Sequence, residues 1–166
     1  MKSVLRIRIA ALAATALFTA SGATAAQVGE KVGYAIVTVI QAPPVLVNVE
    51  PPQGGPGGTS YYEAELSRDG KPFGRLHGTS IKSDVTPDSS GLETRMRTLV
   101  FDLPEGQVVA IGTSEVELAP GNVPALPKPA TVAIVGGTGI YGAARGQVTS
   151  IRVAEGTYEH VLMILK

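Results

Sequence analysis

Beyond residue 30 the chain never sustains an apolar period of 3.6. What recurs is a short run of β-branched and aromatic residues stopped by Gly, Pro, Asp or Asn. Gly33 to Ile40 is nearly all of this type, and Val45 to Val49 continues it after Pro43-Pro44, where the ladder loses its donors. Pro51 to Gly58 reads as a flexible connection. Tyr61 to Ser67 and Phe73 to Ser83 form a hairpin across Arg68-Asp69-Gly70, since Asp-Gly supplies the left-handed backbone of a tight turn. Thr94 to Leu103 and Gln107 to Leu118 form a second across Pro104-Glu105-Gly106. After a proline-rich loop over Ala119 to Pro129 come Thr131 to Val135, Gly146 to Val153 and Thr157 to Leu165. No interval accommodates a crossover helix, so a parallel α/β sheet is excluded. The spacing predicts an all-β, antiparallel fold.

The alternation within strands separates barrel from sandwich. On Thr157 to Leu165 one face carries Tyr158, His160, Leu162 and Ile164, and the other Glu159, Val161 and Met163. On Phe73 to Ser83, Arg75, His77 and Ile81 oppose Leu76, Gly78 and Ser80. A sandwich strand has one dry and one wet face. Mixed faces point instead to an eight-stranded, calycin-like barrel with a partly polar interior and an apolar exterior that meets other subunits as a homodimer or homotrimer.

Residues 1–25 read as a cleaved signal peptide. Lys2, Arg6 and Arg8 precede a short apolar run, and Ala23-Thr24-Ala25 is a small-x-small cleavage site with Ala26 as the new N-terminus. The run is too short to span a bilayer. The expectation is an exported, periplasmic or extracellular protein with no membrane attachment after cleavage. Residues 26–58 then hold the N-terminal strand and the Pro/Gly-rich connection, and 59–166 the barrel domain. Beyond the signal, 11 basic residues face 14 acidic ones, which argues against nucleic acid as a partner. The chain has no cysteine, which removes disulfides, thiolate metal sites and a cysteine nucleophile.

The most distinctive string is Gly136-Gly-Thr-Gly-Ile-Tyr-Gly-Ala-Ala-Arg-Gly146, which comes directly after a strand. Its Gly137-x-Gly139-x-x-Gly142 spacing matches a dinucleotide fingerprint, but that motif needs a helix after it, and residues 146–153 are another β-rich run. Gly136, Gly137 and Gly139 therefore read as structural, allowing positive φ and close backbone approach at a barrel rim.

This string resembles the GGTG-x-(F/Y)-x-x-ARG segment of dirigent proteins and the related allene oxide cyclase-like barrels. Phe73-Gly-Arg-Leu-His-Gly78 is similar to the strand that opens that barrel, and Phe101 to Gly112 to its hairpin. The resemblance covers roughly Ser60 to Lys166. It implies an eight-stranded antiparallel barrel, usually dimeric or trimeric, with a mostly apolar pocket that steers stereoselective cyclisation or coupling of a hydrophobic substrate. Such an enzyme would be isomerase- or cyclase-like, with no metal, nucleotide or other cofactor. The plant cyclases use a pocket cysteine and asparagine; this chain has Ser80 and Ala64 at about those places. The plant dirigents use pocket aspartates with an arginine near the glycine segment, a place that Arg145 matches.

Among individual residues, Arg145 is a candidate for stabilising negative charge or orienting a polar ligand, against a rim salt bridge. His77 and His160 are candidate acids or bases. Tyr61, Tyr62, Tyr141 and Tyr158, with Arg75, are candidate ligand-binding residues. Glu63 and Glu65 are paired carboxylates on one strand face, where water is their usual partner. No metal site is expected. Three function classes remain open on the residues: a barrel that converts a hydrophobic small molecule, a passive carrier of one, and a structural barrel with a filled lumen.

Overall fold

The computed structural model describes residues 33–50, 56–83, 92–119, 123–124 and 129–165. Residues 1–25, where a signal peptide is expected, lie outside them. The strands are β1 (Tyr34–Gln41), β2 (Val45–Val49), β3 (Thr59–Arg68), β4 (Lys71–Lys82), β5 (Leu92–Leu103), β6 (Gly106–Ala119), the two-residue β7 (Val123–Pro124), β8 (Ala130–Gly137), β9 (Gly146–Ala154) and β10 (Thr157–Leu165). Every neighbouring pair is antiparallel, in the order β1-β10-β9-β8-β6-β5-β4-β3, and β1 pairs with β3 to close an eight-stranded barrel. The fold class expected from the spacing is the one observed. Among the described residues the sole helical element is a three-residue 3₁₀ turn, Gly139–Tyr141.

Closure depends on a strand that changes partners. β1 pairs along its whole length with β10, and its last two residues, Ile40 and Gln41, also pair with Ser67 and Leu66 of β3. The Ala42 amide continues onto the Glu65 carbonyl at 3.0 Å. Pro43 and Pro44 interrupt the ladder, and β2 resumes it against the first half of β3, from Val45 opposite Glu63 to Val49 opposite Thr59. β1, which the sequence sets apart from residues 59–166, is thus itself a stave of the barrel.

Inward residues alternate with outward ones on every stave, as a closed sheet requires. One end of the interior is dry: Leu66, Leu76, Phe101, Val108, Leu162 and Val148 are almost fully buried there. That end is stoppered by the glycine segment. The Thr138 amide bonds the Gln107 carbonyl at 2.9 Å, the Ile140 amide bonds the Glu105 carbonyl at 3.2 Å, and Ala144 packs into the core. Because β9 starts immediately after this turn, the segment has none of the helix that a pyrophosphate site would use.

Of the three glycines read as structural, Gly137 and Gly139 are required by close approach. A Cβ on Gly137 would lie 2.1 Å from the Gln107 carbonyl oxygen. Gly139 has φ +58, and a Cβ there would lie 2.2 Å from the Glu105 oxygen. Gly136 differs: the nearest atom to its Cβ position is an Arg145 nitrogen at 3.9 Å, so the steric reading does not extend to it. Gly137→Ala is therefore expected to destabilise the fold by about 1–3 kcal/mol or more, as overpacking against rigid backbone does. Gly136→Ala stays within about 0.5 kcal/mol. Urea unfolding of the two variants checks the contrast; equal losses would show that the string is held by something other than these contacts.

Candidate functional site

Read at every second residue, the inward face of each long strand changes character partway along. On β5 it runs Glu93, Arg95, Arg97 and then Leu99, Phe101, Leu103. On β10 it runs Tyr158, His160 and then Leu162, Ile164; on β9 the order reverses, from Val148 to Ser150. Antiparallel register brings the polar halves to one end: Ser80 stands opposite Arg97, Lys82 opposite Arg95, Arg95 opposite Ser114, and His160 opposite both Ser150 and Val39. The interior therefore has an apolar floor and a polar upper half. The polar half lies at the end where β4 leads into residues 84–91 and β6 into 120–122.

His160 is the centre of one polar group. Its Nδ1 lies 2.8 Å from Ser150 Oγ and its Nε2 2.9 Å from Gln41 Oε1. The amide oxygen of Gln41 only accepts, so Nε2 carries the proton and the Ser150 hydroxyl donates to Nδ1. Phe101 meets the ring edge-on at 5.2 Å and Tyr158 stacks at 6.2 Å. Burial lowers the pKa of His160 to about 4, and the positive charge of Arg97 acts in the same direction. At neutral pH it is an uncharged ring with both nitrogens engaged.

The second group is charged. Glu93, with its side chain 8% exposed, pairs with Lys82 Nζ at 2.9 Å and with Arg95 Nε. Burial alone would raise the carboxyl pKa, but the hydrogen bonds from Lys82 and Arg95 outweigh it and the net shift is downward. Both carboxylate oxygens are thereby engaged. Arg97 lies beyond this pair, and its Nε is buried without a hydrogen-bond partner, as are the hydroxyls of Ser80 and Ser114. Tyr62 joins them from β3. Its ring lies over Gly78, where an added Cβ would come within 2.1 Å of Tyr62 Cζ. Burial raises the phenol's pKa while Arg97 lowers it, with the net shift upward, so Tyr62 keeps its proton and is a donor.

The candidates named from the sequence divide sharply. His160, Tyr158 and Tyr62 line the polar half. His77, Arg75 and Tyr61 lie on the outside of the barrel: Arg75 pairs with Glu63 at 2.9 Å and Glu65 at 2.8 Å, His77 is 3.7 Å from Glu63, and Tyr61 is 53% exposed. Positions 61, 63 and 65 of β3 and 75 and 77 of β4 are exposed, opposite in phase to buried Ala64, Leu66 and Leu76, so the period of two excludes Tyr61, Arg75 and His77 from the interior. Glu63 and Glu65 are the outward carboxylates that hold Arg75. Arg145 is exposed at the stoppered end, where its Nη1 donates to the carbonyls of Val135 at 2.8 Å and Ala144 at 2.7 Å. It is five residues before Ser150, so it is about 16 Å along the strand from the polar group. Tyr141 caps the same end, half-buried against the core, and burial raises its pKa. Ala64 and Ser80 do face inward. Arg97, Lys82, Arg95, Glu93, Gln41 and Ser114 were not singled out from the sequence; the signal was there in the polar-to-apolar change on β5. Among the described residues no group of three His, Asp or Glu converges as a metal site would.

These features define a closed antiparallel barrel with an amphipathic interior. No protein-family model and no curated protein matches the chain. Solved structures do. A pyocyanin demethylase is similar at 26% identity and a TM-score of 0.62, over 78% of this chain and 99% of that one. AbnU, an exo-specific intermolecular Diels-Alderase, is similar at 14% identity and 0.59, over 81% and 99%. The Diels-Alderase AbmU from Streptomyces koyangensis is similar at 18% and 0.60, over 83% and 71%. The chain thus has the barrel fold of these structures.

The burial of His160 has a measurable consequence. Its folded-state pKa is below the unfolded value near 6.5, so its contribution to stability is complete above that pH and is lost as pH falls toward about 4. The loss is on the order of 3 kcal/mol. Urea midpoints measured from pH 7 to 4 are expected to fall across this window, and His160→Gln to flatten the fall from a lower starting stability. A variant with the unaltered slope would place the titration elsewhere.

Proposed function

We propose that the chain is a small-molecule-binding barrel that seats a hydrophobic ligand on the apolar floor of its interior, with the ligand's polar end among Arg97, Tyr62, Ser80 and Ser114. The observation that carries this reading is the set of buried donors without partners: Arg97 Nε and the hydroxyls of Ser80 and Ser114. A lumen filled only for stability would pair such groups or replace them, because each unsatisfied buried polar group costs about 1–3 kcal/mol. A bound carbonyl or anionic oxygen satisfies several at once.

The reaction that suits this arrangement is a cyclisation-type conversion. Apolar walls hold a flexible substrate folded, and Arg97 and Tyr62 donate to an oxygen whose negative charge grows as electrons shift. His160 positions rather than reacts, since both its ring nitrogens are engaged. The barrels of the Diels-Alderases AbnU and AbmU support this class of chemistry, as does the resemblance of the glycine string to dirigent and allene oxide cyclase-like proteins. The runner-up is a carrier that binds the same molecule unchanged. We further propose that residues 1–25 direct export and are cleaved, and that the mature chain is a homodimer or homotrimer. Exposed Tyr34, Ile36, Val45, Val47 and Val49 support the assembly.

Native mass spectrometry of the protein from its own host tests these points together. The expected result is a chain beginning at Ala26, in a dimer or trimer, with one small molecule per chain. Incubation with an acyclic isomer of that molecule should change its chromatographic retention and not its mass, because cyclisation is an isomerisation. Release of the molecule unchanged would assign a carrier. Absence of any bound molecule, together with no stoichiometric binding of the neutral probe N-phenyl-1-naphthylamine, would remove both readings.

A further inference from the structure

Among the described inward residues of the polar half the charges do not cancel. These residues include Lys82, Arg95 and Arg97 against one carboxylate, Glu93. Glu93 gives one oxygen to Lys82 and the other to Arg95. Arg97 has no ion-pair or hydrogen-bond partner among the described residues, and its Nε is buried. The side chain is half-buried, and its Nε keeps an unused donor for an acceptor. His160 is neutral and adds no further charge, and Tyr62 keeps its proton, so it supplies no counter-charge.

The surroundings of Arg97 are shaped for one small acceptor. Ser80 stands directly opposite it on β4, and its hydroxyl is buried and unpaired. Opposite it on β6 is Gly112, which has no side chain, and two residues further on is Ser114, whose hydroxyl is also unpaired. A planar guanidinium flanked by two hydroxyl donors suits an oxygen group with several lone pairs. Toward the other end of the barrel, Leu99 and Phe101 continue the same face of β5, and both are buried. A cation without a counter-charge among the described residues, two hydroxyls and an apolar floor describe an amphiphile with one charged end.

Resting on the reading of the lumen as a ligand site, we infer that its ligand is a hydrophobic small molecule carrying one anionic oxygen group, bound by Arg97 between Ser80 and Ser114. The negative group replaces the missing counter-ion, and the apolar body lies on Leu99 and Phe101. Polyanions are disfavoured, because Lys82 and Arg95 are already committed to Glu93.

A matched pair of fluorescent probes tests this on the full chain. 1-Anilinonaphthalene-8-sulfonate and N-phenyl-1-naphthylamine share a ring system and differ by one negative group. The sulfonate is expected to bind at one per chain and at least tenfold more tightly than the neutral probe. Arg97→Gln is expected to bring the ratio of the two affinities close to one, and Arg97→Lys to keep part of it. Arg75→Gln, on the outer wall, leaves both affinities unchanged. Should Arg97→Gln not fold, as judged by circular dichroism, Ser80→Ala provides the same reading through a fall in the ratio of about threefold. If the neutral probe binds but the sulfonate has no advantage, or the advantage survives in Arg97→Gln, the inference is overturned while the lumen reading stands. If neither probe binds stoichiometrically, the lumen reading fails, and this inference with it.

Discussion

The buried chain Gln41–His160–Ser150 is the interaction on which the barrel and its interior both depend. Gln41 is the residue at which β1 leaves β10 for β3, so it lies on the seam where the sheet closes. Its side chain accepts from His160 on β10, and His160 accepts in turn from Ser150 on β9. Three neighbouring staves are thereby tied by side chains as well as by their ladders. A buried imidazole with both nitrogens satisfied is stable only while it remains neutral, and burial beside Arg97 keeps it so.

From this seam the interior divides. Below it, leucines, valines and Phe101 fill the space at the stoppered end. Above it, cations are gathered in a region partly removed from water. Lys82 and Arg95 are tolerable there because Glu93 lies between them. Among the described residues Arg97 has no such neighbour, and its Nε is buried without a hydrogen-bond partner. In a medium of low effective dielectric such a charge acts on anything that enters. The barrel fold shared with the Diels-Alderases accounts for the walls; the inward polar residues give this interior its own character.

The glycines serve different ends of the molecule. Gly137 and Gly139 let the chain pass against the β5–β6 turn and stopper the barrel, while Gly78 makes room for the ring of Tyr62 to lie across the sheet. The string at 136–146 has the spacing of a nucleotide motif yet lies far from the polar half. Its Arg145, attractive as an isolated cation beside a motif, is absorbed by two backbone carbonyls.

The hairpins, the antiparallel sheet and the absence of crossover helices were legible in the sequence, because turn residues and the period of two are local properties. So was the mixed character of the strand faces, which favours a barrel over a sandwich. Which of the two faces is inside is not local. Tyr61 and Tyr62, or His77 and His160, are equivalent as residue types, and only closure of the sheet sends one inward and leaves the other in water. The meeting of Ser80, Arg97 and Ser114 likewise depends on register across three strands, and the seam at Gln41 on a pairing between residues 25 apart, Gln41 and Leu66. The sequence by itself determined the strands and their alternation, since both arise from steric preferences of adjacent residues. The tertiary structure alone decided the site, since the free energy of an unpaired charge depends on what surrounds it, and those neighbours come from distant parts of the chain.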